Sequence, residues 1–288
     1  AANSGRGAVF VVFGGARPTA SFDLSLESLA KGVDYVELVG MSTDGFGEAL
    51  SSTDLNGDGF ADLVIGAPGA VGSAYAVVYF GAASFPTETV DVGSDLNATD
   101  GFVVFYDAEA DPDTSMFGAS VAGIGDFDGD GLDDVAFGAP GADAVCVLMG
   151  TAAPLAASSF SCSSLTPSSA IAGFTVALSP ASDRRRLEDG SSGYFGASLG
   201  TAGDVNDDGF ADFLVGAPTL ESEAGAAYVI FGARDVAASP LLADDAGMQF
   251  YSTVPGDSLG SAVAGGGDVN DDGVDDFILG ADGVLADG

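Results

Sequence analysis

Four stretches of the chain are copies of one pattern: FGEALSSTDLNGDGFADLVIGAP (46–68), FGASVAGIGDFDGDGLDDVAFGAP (117–140), FGASLGTAGDVNDDGFADFLVGAP (195–218) and LGSAVAGGGDVNDDGVDDFILGAD (259–282). A recurring unit of this size commits a chain to a repeat architecture, because one unit alone has too little neighbouring surface against which to bury its apolar face. The first loop aspartates, Asp54, Asp126, Asp204 and Asp268, stand 72, 78 and 64 residues apart. Behind each Gly-Ala-Pro comes a second apolar run, SAYAVVYFG, DAVCVLMG or GAAYVIFG. A more alternating run precedes the next copy: GFVVFYD (101–107), GFTVALS (173–179) and GMQFYST (247–253). That predicts four short strands per unit, separated by Gly/Asp turns. No sustained 3.6-residue apolar period interrupts them, so helix is expected to be minor.

The expected fold class is therefore all-β, a β-propeller-type array of four-stranded antiparallel blades. The fourth copy stops after its second strand, whereas the chain opens with GRGAVFVVFGG and YVELVG (35–40), which match the third and fourth strands of the other copies. Joined head to tail, the two ends complete one blade, and the step from Asp268 round to Asp54 becomes 74 residues. The reading is one repeat domain, 1–288, with blades at about 41–110, 111–190, 191–254 and 255–288 plus 1–40, and an insertion at 151–194.

Charge narrows the function. The chain carries 43 acids against seven bases, a formal charge of −36, and no histidine. A nucleic-acid partner is excluded, since a phosphate backbone needs Lys and Arg to displace its counterions. Anionic lipid surfaces are disfavoured for the same reason. No apolar run approaches the ~20 residues of a membrane-spanning helix, so no membrane insertion is expected. The start, AANSGRGAVF, lacks a basic-then-apolar signal pattern and reads as a mature or excised terminus. An enzyme is not expected: the commonest general base is absent, no phosphate-cradling Gly-Lys loop or nucleophile elbow occurs, and the paired carboxylates all sit in the repeated loops.

The repeats resemble the FG-GAP repeat, the blade of the integrin α-subunit β-propeller. The resemblance rests on Phe46-Gly47, Phe117-Gly118, Phe195-Gly196 and Leu259-Gly260, on the acidic loops, and on Gly-Ala-Pro at 66–68, 138–140 and 216–218; the fourth copy reads Gly280-Ala281-Asp282. It implies one Ca²⁺ in the loop joining the first two strands of each blade, and the residues themselves support such a site. Calcium takes six to eight hard oxygen ligands, and loop positions 1, 3, 5 and 9 supply them as side chains, with a backbone carbonyl from position 7. The four ligand sets are Asp54, Asn56, Asp58 and Asp62; Asp126, Asp128, Asp130 and Asp134; Asp204, Asn206, Asp208 and Asp212; and Asp268, Asn270, Asp272 and Asp276. Phe60, Leu132, Phe210 and Val274 supply the carbonyls. An EF-hand shares the first six positions but requires a bidentate Glu at position 12, where this chain has Ile65, Phe137, Val215 and Leu279. Thirteen acids fall in these sets, and four Ca²⁺ would bring −36 to −28.

Other features stay open on sequence alone. Cys146 and Cys162 form either a disulfide closing a ~15-residue loop or two separate thiols. DRRRLEDG (183–190) either docks on an acidic surface of another copy or is an exposed loop. Asn97-Ala98-Thr99 is a glycosylation sequon, meaningful in a secreted protein, and the Ser/Pro-rich stretch 151–169 either carries O-linked sugars or is a plain loop. Two functions of different kind follow. One is an extracellular or cell-surface adhesion module that recognises a protein or glycan and is rigidified by Ca²⁺. The other is a structural subunit, or an excerpt of a tandem-repeat filament, in which copies of the chain pair strand to strand.

Overall fold

A computed structural model describes residues 6–14, 35–41, 45–69, 74–106, 114–153, 158–162, 165–166, 172–178, 192–234 and 241–283. The fold is all-β. Three antiparallel meanders follow one another along the chain. The first runs β3 (Ala49–Thr53), β4 (Asp62–Ala67), β5 (Tyr75–Tyr79) and β7 (Gly101–Phe105). The second runs β8 (Val121–Gly125), β9 (Asp134–Ala139), β10 (Ala144–Leu148) and β12 (Gly173–Ala177), and the third β13 (Ser198–Gly203), β14 (Asp212–Ala217), β15 (Ala226–Ile230) and β17 (Gly247–Tyr251). Before them stand β1 (Ala8–Val12) and β2 (Tyr35–Val39), and after them β18 (Leu259–Gly267) and β19 (Asp276–Ala281). Helix is confined, among the described residues, to single turns such as Leu220–Glu223, and no helix is long and apolar enough to cross a membrane.

The sheets stack through their faces, which explains why the central strands are apolar on both sides. Strands β5, β9, β10, β14 and β15 are buried along their whole length. One layer of core joins the first and second meanders through Val64, Phe102, Phe117 and Phe137; another joins the second and third through Phe127, Phe174, Phe195 and Phe213. Each motif Phe is an anchor in such a layer: Phe117 lies 5.7 Å from Phe137, and Phe195 lies 5.3 Å from Tyr228. The motif glycines answer a different need. A Cβ on Gly66, Gly138 or Gly216 would overlap the carbonyl oxygen of Gly118, Gly196 or Gly260, the motif glycine of the following unit. Backbone therefore meets backbone at every junction, and only glycine fits. Hydroxyls reinforce the same seams, with Ser120 Oγ donating to the Gly196 carbonyl at 2.6 Å and Ser198 Oγ to that of Gly260 at 2.8 Å.

The expectation of four strands per unit needs one addition. The connection between the third and fourth strands of a unit reaches back and lays a parallel strand on the outer edge of the unit before it. β6 (Val90–Asp91) pairs with β2, β11 (Ser159–Ser161) with β7, and β16 (Leu241–Leu242) with β12. These short pieces satisfy edge N–H and C=O groups that a bare outer strand would expose. The second of them is stapled: Cys146 in β10 and Cys162 just after β11 form a disulfide, with Cα atoms 6.1 Å apart. Two thiols are thereby ruled out, and β11 and β12 both fall within the 151–194 stretch.

At the two ends, β1 pairs with β2 and β18 with β19, in separate sheets; no pairing among the described residues joins them into one. Asn97 is exposed in the turn before β7, where its side-chain oxygen accepts the Thr99 N–H. DRRRLEDG lies outside the described residues.

Candidate metal centre

Each acidic loop is the turn of the hairpin between the first two strands of its unit. The turn is written by its own aspartates. In the second loop Asp126 accepts N–H bonds from Asp130 (3.0 Å) and Gly131 (2.9 Å), Asp128 from Asp130 (3.1 Å), and Asp130 from Leu132 (2.9 Å). Such side-chain-to-backbone bonds are the usual way Asp and Asn stabilise turns. The chain also turns left-handed at the fourth and sixth positions, with φ of 74° at Gly129 and 93° at Gly131. Asp207 and Asp271 take the fourth position in the later loops at φ of 58° and 62°, which Asp tolerates better than most residues.

The same bonds recur. Asp54 accepts from Asp58 and Gly59, Asn56 from Asp58, and Asp58 from Phe60. Asp204, Asn206 and Asp208 repeat this set with Asp208, Gly209 and Phe210. Asp268 accepts from Asp272 and Gly273, and Asp272 from Val274. The residues expected to lend carbonyls, Phe60, Leu132, Phe210 and Val274, are thus held through their N–H groups by the fifth-position aspartate.

Oxygens of Asp126, Asp128 and Asp130 all lie within 4.8 Å of one another. Two ligands on one Ca²⁺, at about 2.3–2.6 Å each, sit no more than about 5 Å apart, so the donor set and its spacing fit that ion. Among the described residues this is the one group of three such carboxylates close enough to share a cation. In the first, third and fourth loops the middle donor is Asn56, Asn206 or Asn270, whose amide oxygen is also a hard ligand for calcium. Burial, then the Asp130 charge, raise the Asp128 carboxyl, against the lowering pull of the Asp130 N–H and the Arg234 guanidinium.

The ninth-position aspartates are placed differently. Asp62, Asp134 and Asp212 are fully buried. One oxygen of each accepts the N–H of the second loop residue, Leu55, Phe127 or Val205, and the other that of Gly81, Gly150 or Gly232 beyond the third strand. Each therefore pins its loop, the start of the second strand and the end of the third together. Burial pushes Asp134 up to about 7, and Asp62 and Asp212 to about 6, against the lowering pull of those amides. Asp134 is not part of the Asp126–Asp128–Asp130 group. Asp276 keeps only part of this arrangement, accepting from Val269 at 2.8 Å. Reading the motif did not single out Asp133 and Asp275, whose carboxylates leave their own loops; the one sign of them is an acid at the eighth position of the second and fourth copies, where the first and third have alanine.

The FG-GAP repeat matches residues 46–80, 117–153 and 195–230. The chain is 31% identical to integrin alpha ina-1 of Caenorhabditis elegans over 188 residues, 60% of this chain and 15% of that protein. It is 31% identical to integrin alpha-V of Gallus gallus over 199 residues, 66% of this chain and 16% of that protein. Integrin alpha pat-2 of Caenorhabditis briggsae is 43% identical over 91 residues, 31% of this chain and 7% of that protein. The chain thus spans about a sixth or less of the length of these relatives. It carries FG-GAP repeats and, over part of its length, is a distant homologue of the integrin α subunits.

Proposed function

We propose that the chain is a non-catalytic, calcium-binding FG-GAP module of the extracellular space or cell surface, built for adhesion to a protein or glycan partner. The observation that carries the calcium reading is the gathering of Asp126, Asp128 and Asp130 within 4.8 Å at a hairpin turn. Four ions are proposed, one per loop, held by the first, third, fifth and ninth positions and the seventh carbonyl in each copy. Calcium suits these loops better than magnesium, which demands a near-ideal octahedron and keeps several waters. The bound ion would neutralise crowded carboxylates and lock the turn; it supplies no reaction. The 1–288 domain is proposed as a propeller-type array with the four blade boundaries given above.

An extracellular setting is supported by the Cys146–Cys162 disulfide, since such bonds persist in oxidising compartments. It is supported also by the relatives, all named as integrin alpha chains. Extracellular calcium modules bind at ~10⁻⁴–10⁻³ M, so the loops would fill outside a cell and stay empty in its cytosol. Recognition is assigned to the loops between strands on the face away from the calcium turns, as loops on a rigid scaffold carry binding. The test is thermal melting in millimolar calcium and in chelator. Chelation is expected to lower the melting temperature while β-structure persists in the cold. A melt that ignores both calcium and chelator contradicts the proposal.

A further inference from the structure

We infer that Asp133 and Asp275 are positioning residues that tie the loops into two coupled pairs, first with second and third with fourth; the inference rests on the reading of these loops as calcium sites. Neither residue belongs to a ligand set. Asp133 Oδ2 crosses to the loop before its own, accepting the Thr53 hydroxyl at 2.8 Å and the Asp54 N–H at 3.3 Å. Asp275 Oδ2 does the same one pair further on, accepting the Asp204 N–H at 3.1 Å and lying where a Cβ on Gly203 would sit. In both cases a carboxylate from the later loop holds the backbone of the first ligand aspartate of the earlier one. Between the second and third loops the equivalent residue is Ala211, and the link is a main-chain bond from its N–H to the Asp126 carbonyl at 3.0 Å.

The connection runs through few atoms. Asp133 stands between Leu132, whose N–H is bonded to Asp130, and Asp134, which is pinned to Phe127 and Gly150. An ion in the second loop would fix Asp130 and so fix Asp133, which in turn orders Asp54. Occupancy of the second loop then raises the affinity of the first, and linkage requires the same factor in reverse. The Leu132 side chain lies close over Gly57, where a Cβ would be 2.5 Å from Leu132 Cδ2, but Phe210 lies equally close over Gly129 between the second and third loops, so the pairing rests on the two aspartates.

Calcium titration of the whole chain followed by NMR resolves the four sites, because Gly59, Gly131, Gly209 and Gly273 each donate an N–H to the first aspartate of their own loop. Asp133→Ala is expected to weaken calcium at the Gly59 loop about tenfold, the scale of one lost charge-assisted hydrogen bond, and to leave the Gly209 and Gly273 loops within about twofold. Asp275→Ala is expected to do the same to the Gly209 loop and spare the Gly59 and Gly131 loops. Asp133→Asn keeps an acceptor and should recover most of the affinity, which a general structural loss would not. Unchanged affinity at the Gly59 loop in Asp133→Ala, or equal weakening of all four loops, overturns the inference while leaving the calcium reading intact. Wild-type glycine signals that ignore calcium overturn both.

Discussion

The second and fourth acidic loops, 126–134 and 268–276, share their aspartates at positions 1, 5, 8 and 9 and the glycine at position 6, and their first and fifth aspartates make the same hydrogen bonds, but they sit on opposite kinds of ground. Beneath the second, Phe127 is fully buried, with its ring 5.5 Å from Phe213 and 5.7 Å from Phe174, and every residue of β9 is buried. In the fourth, the matching Val269 is 71% exposed and β19 is only half-covered. Yet Asp126 and Asp268 both accept the N–H groups four and five residues on, and Gly131 and Gly273 share a φ of 93° and 92°. The turn is therefore a local product of Asp and Gly spacing, whereas the rigidity of what it stands on comes from neighbouring sheets.

Substitutions sharpen that contrast. Phe127→Ala should cost about 3–5 kcal/mol by leaving a cavity between two sheets, while Val269→Ala should stay within about 0.5 kcal/mol. Denaturant unfolding of both variants measures the gap, and equal costs would show that the two loops stand on equally rigid ground. Next in size is the glycine at the end of the second strand. A Cβ on Gly138 would overlap the Gly196 carbonyl oxygen and Ser120 Oγ, so Gly138→Ala should lose about 1–3 kcal/mol. The matching Gly280 faces only its own hairpin: a Cβ there would have as its nearest neighbour the Ala262 carbonyl oxygen, at 3.2 Å, and Gly280→Ala should be nearly neutral.

Removing a ligand should ignore the contrast. If the turn is locally encoded, Asp130→Ala and Asp272→Ala each forfeit one ion and a similar calcium-linked increment. At one to ten times the dissociation constant that increment is about 0.4–1.4 kcal/mol. Melts of the two variants across a calcium series check it, and a loss confined to Asp130→Ala would show that packing, not spacing, makes the site.

A separate expected effect is on pH dependence in chelator. Burial raises Asp134 from 3.8 to about 7, so the folded chain binds that proton more tightly than the unfolded chain. Its contribution to stability is full below about pH 4 and is lost as pH rises through about 7; Asp62 and Asp212, raised to about 6, act in the same sense. Stability of the calcium-free chain should fall over that window, and Asp134→Asn should flatten the slope. A slope of opposite sign contradicts the burial account.

Much of this was legible in the sequence because its signals are local. The hairpin loops are spelled by Asp and Gly at fixed offsets, and the expected runs 101–107, 173–179 and 247–253 contain β7, β12 and β17. What escaped depends on neighbours. Val90–Asp91 and Leu241–Leu242 are too short to show any period, and become strands only because an outer edge lies beside them. Gly66 and Gly118 are visible as motif letters, but their reason, one backbone pressed on another, exists only between units. Asp133 is hidden beside Asp134 in a run that reads as one acidic loop, although the two carboxylates face different partners.

If the repeated loops hold calcium, each loop loses its ion when one ligand is removed. Titration calorimetry of the chelator-stripped chain with calcium tests it most directly, with Asp130→Ala run beside the wild type. Close to four ions per wild-type chain are expected and one fewer in the variant, with the remaining sites still filling. Two ions or fewer in the wild type, or the same number in both proteins, would contradict it.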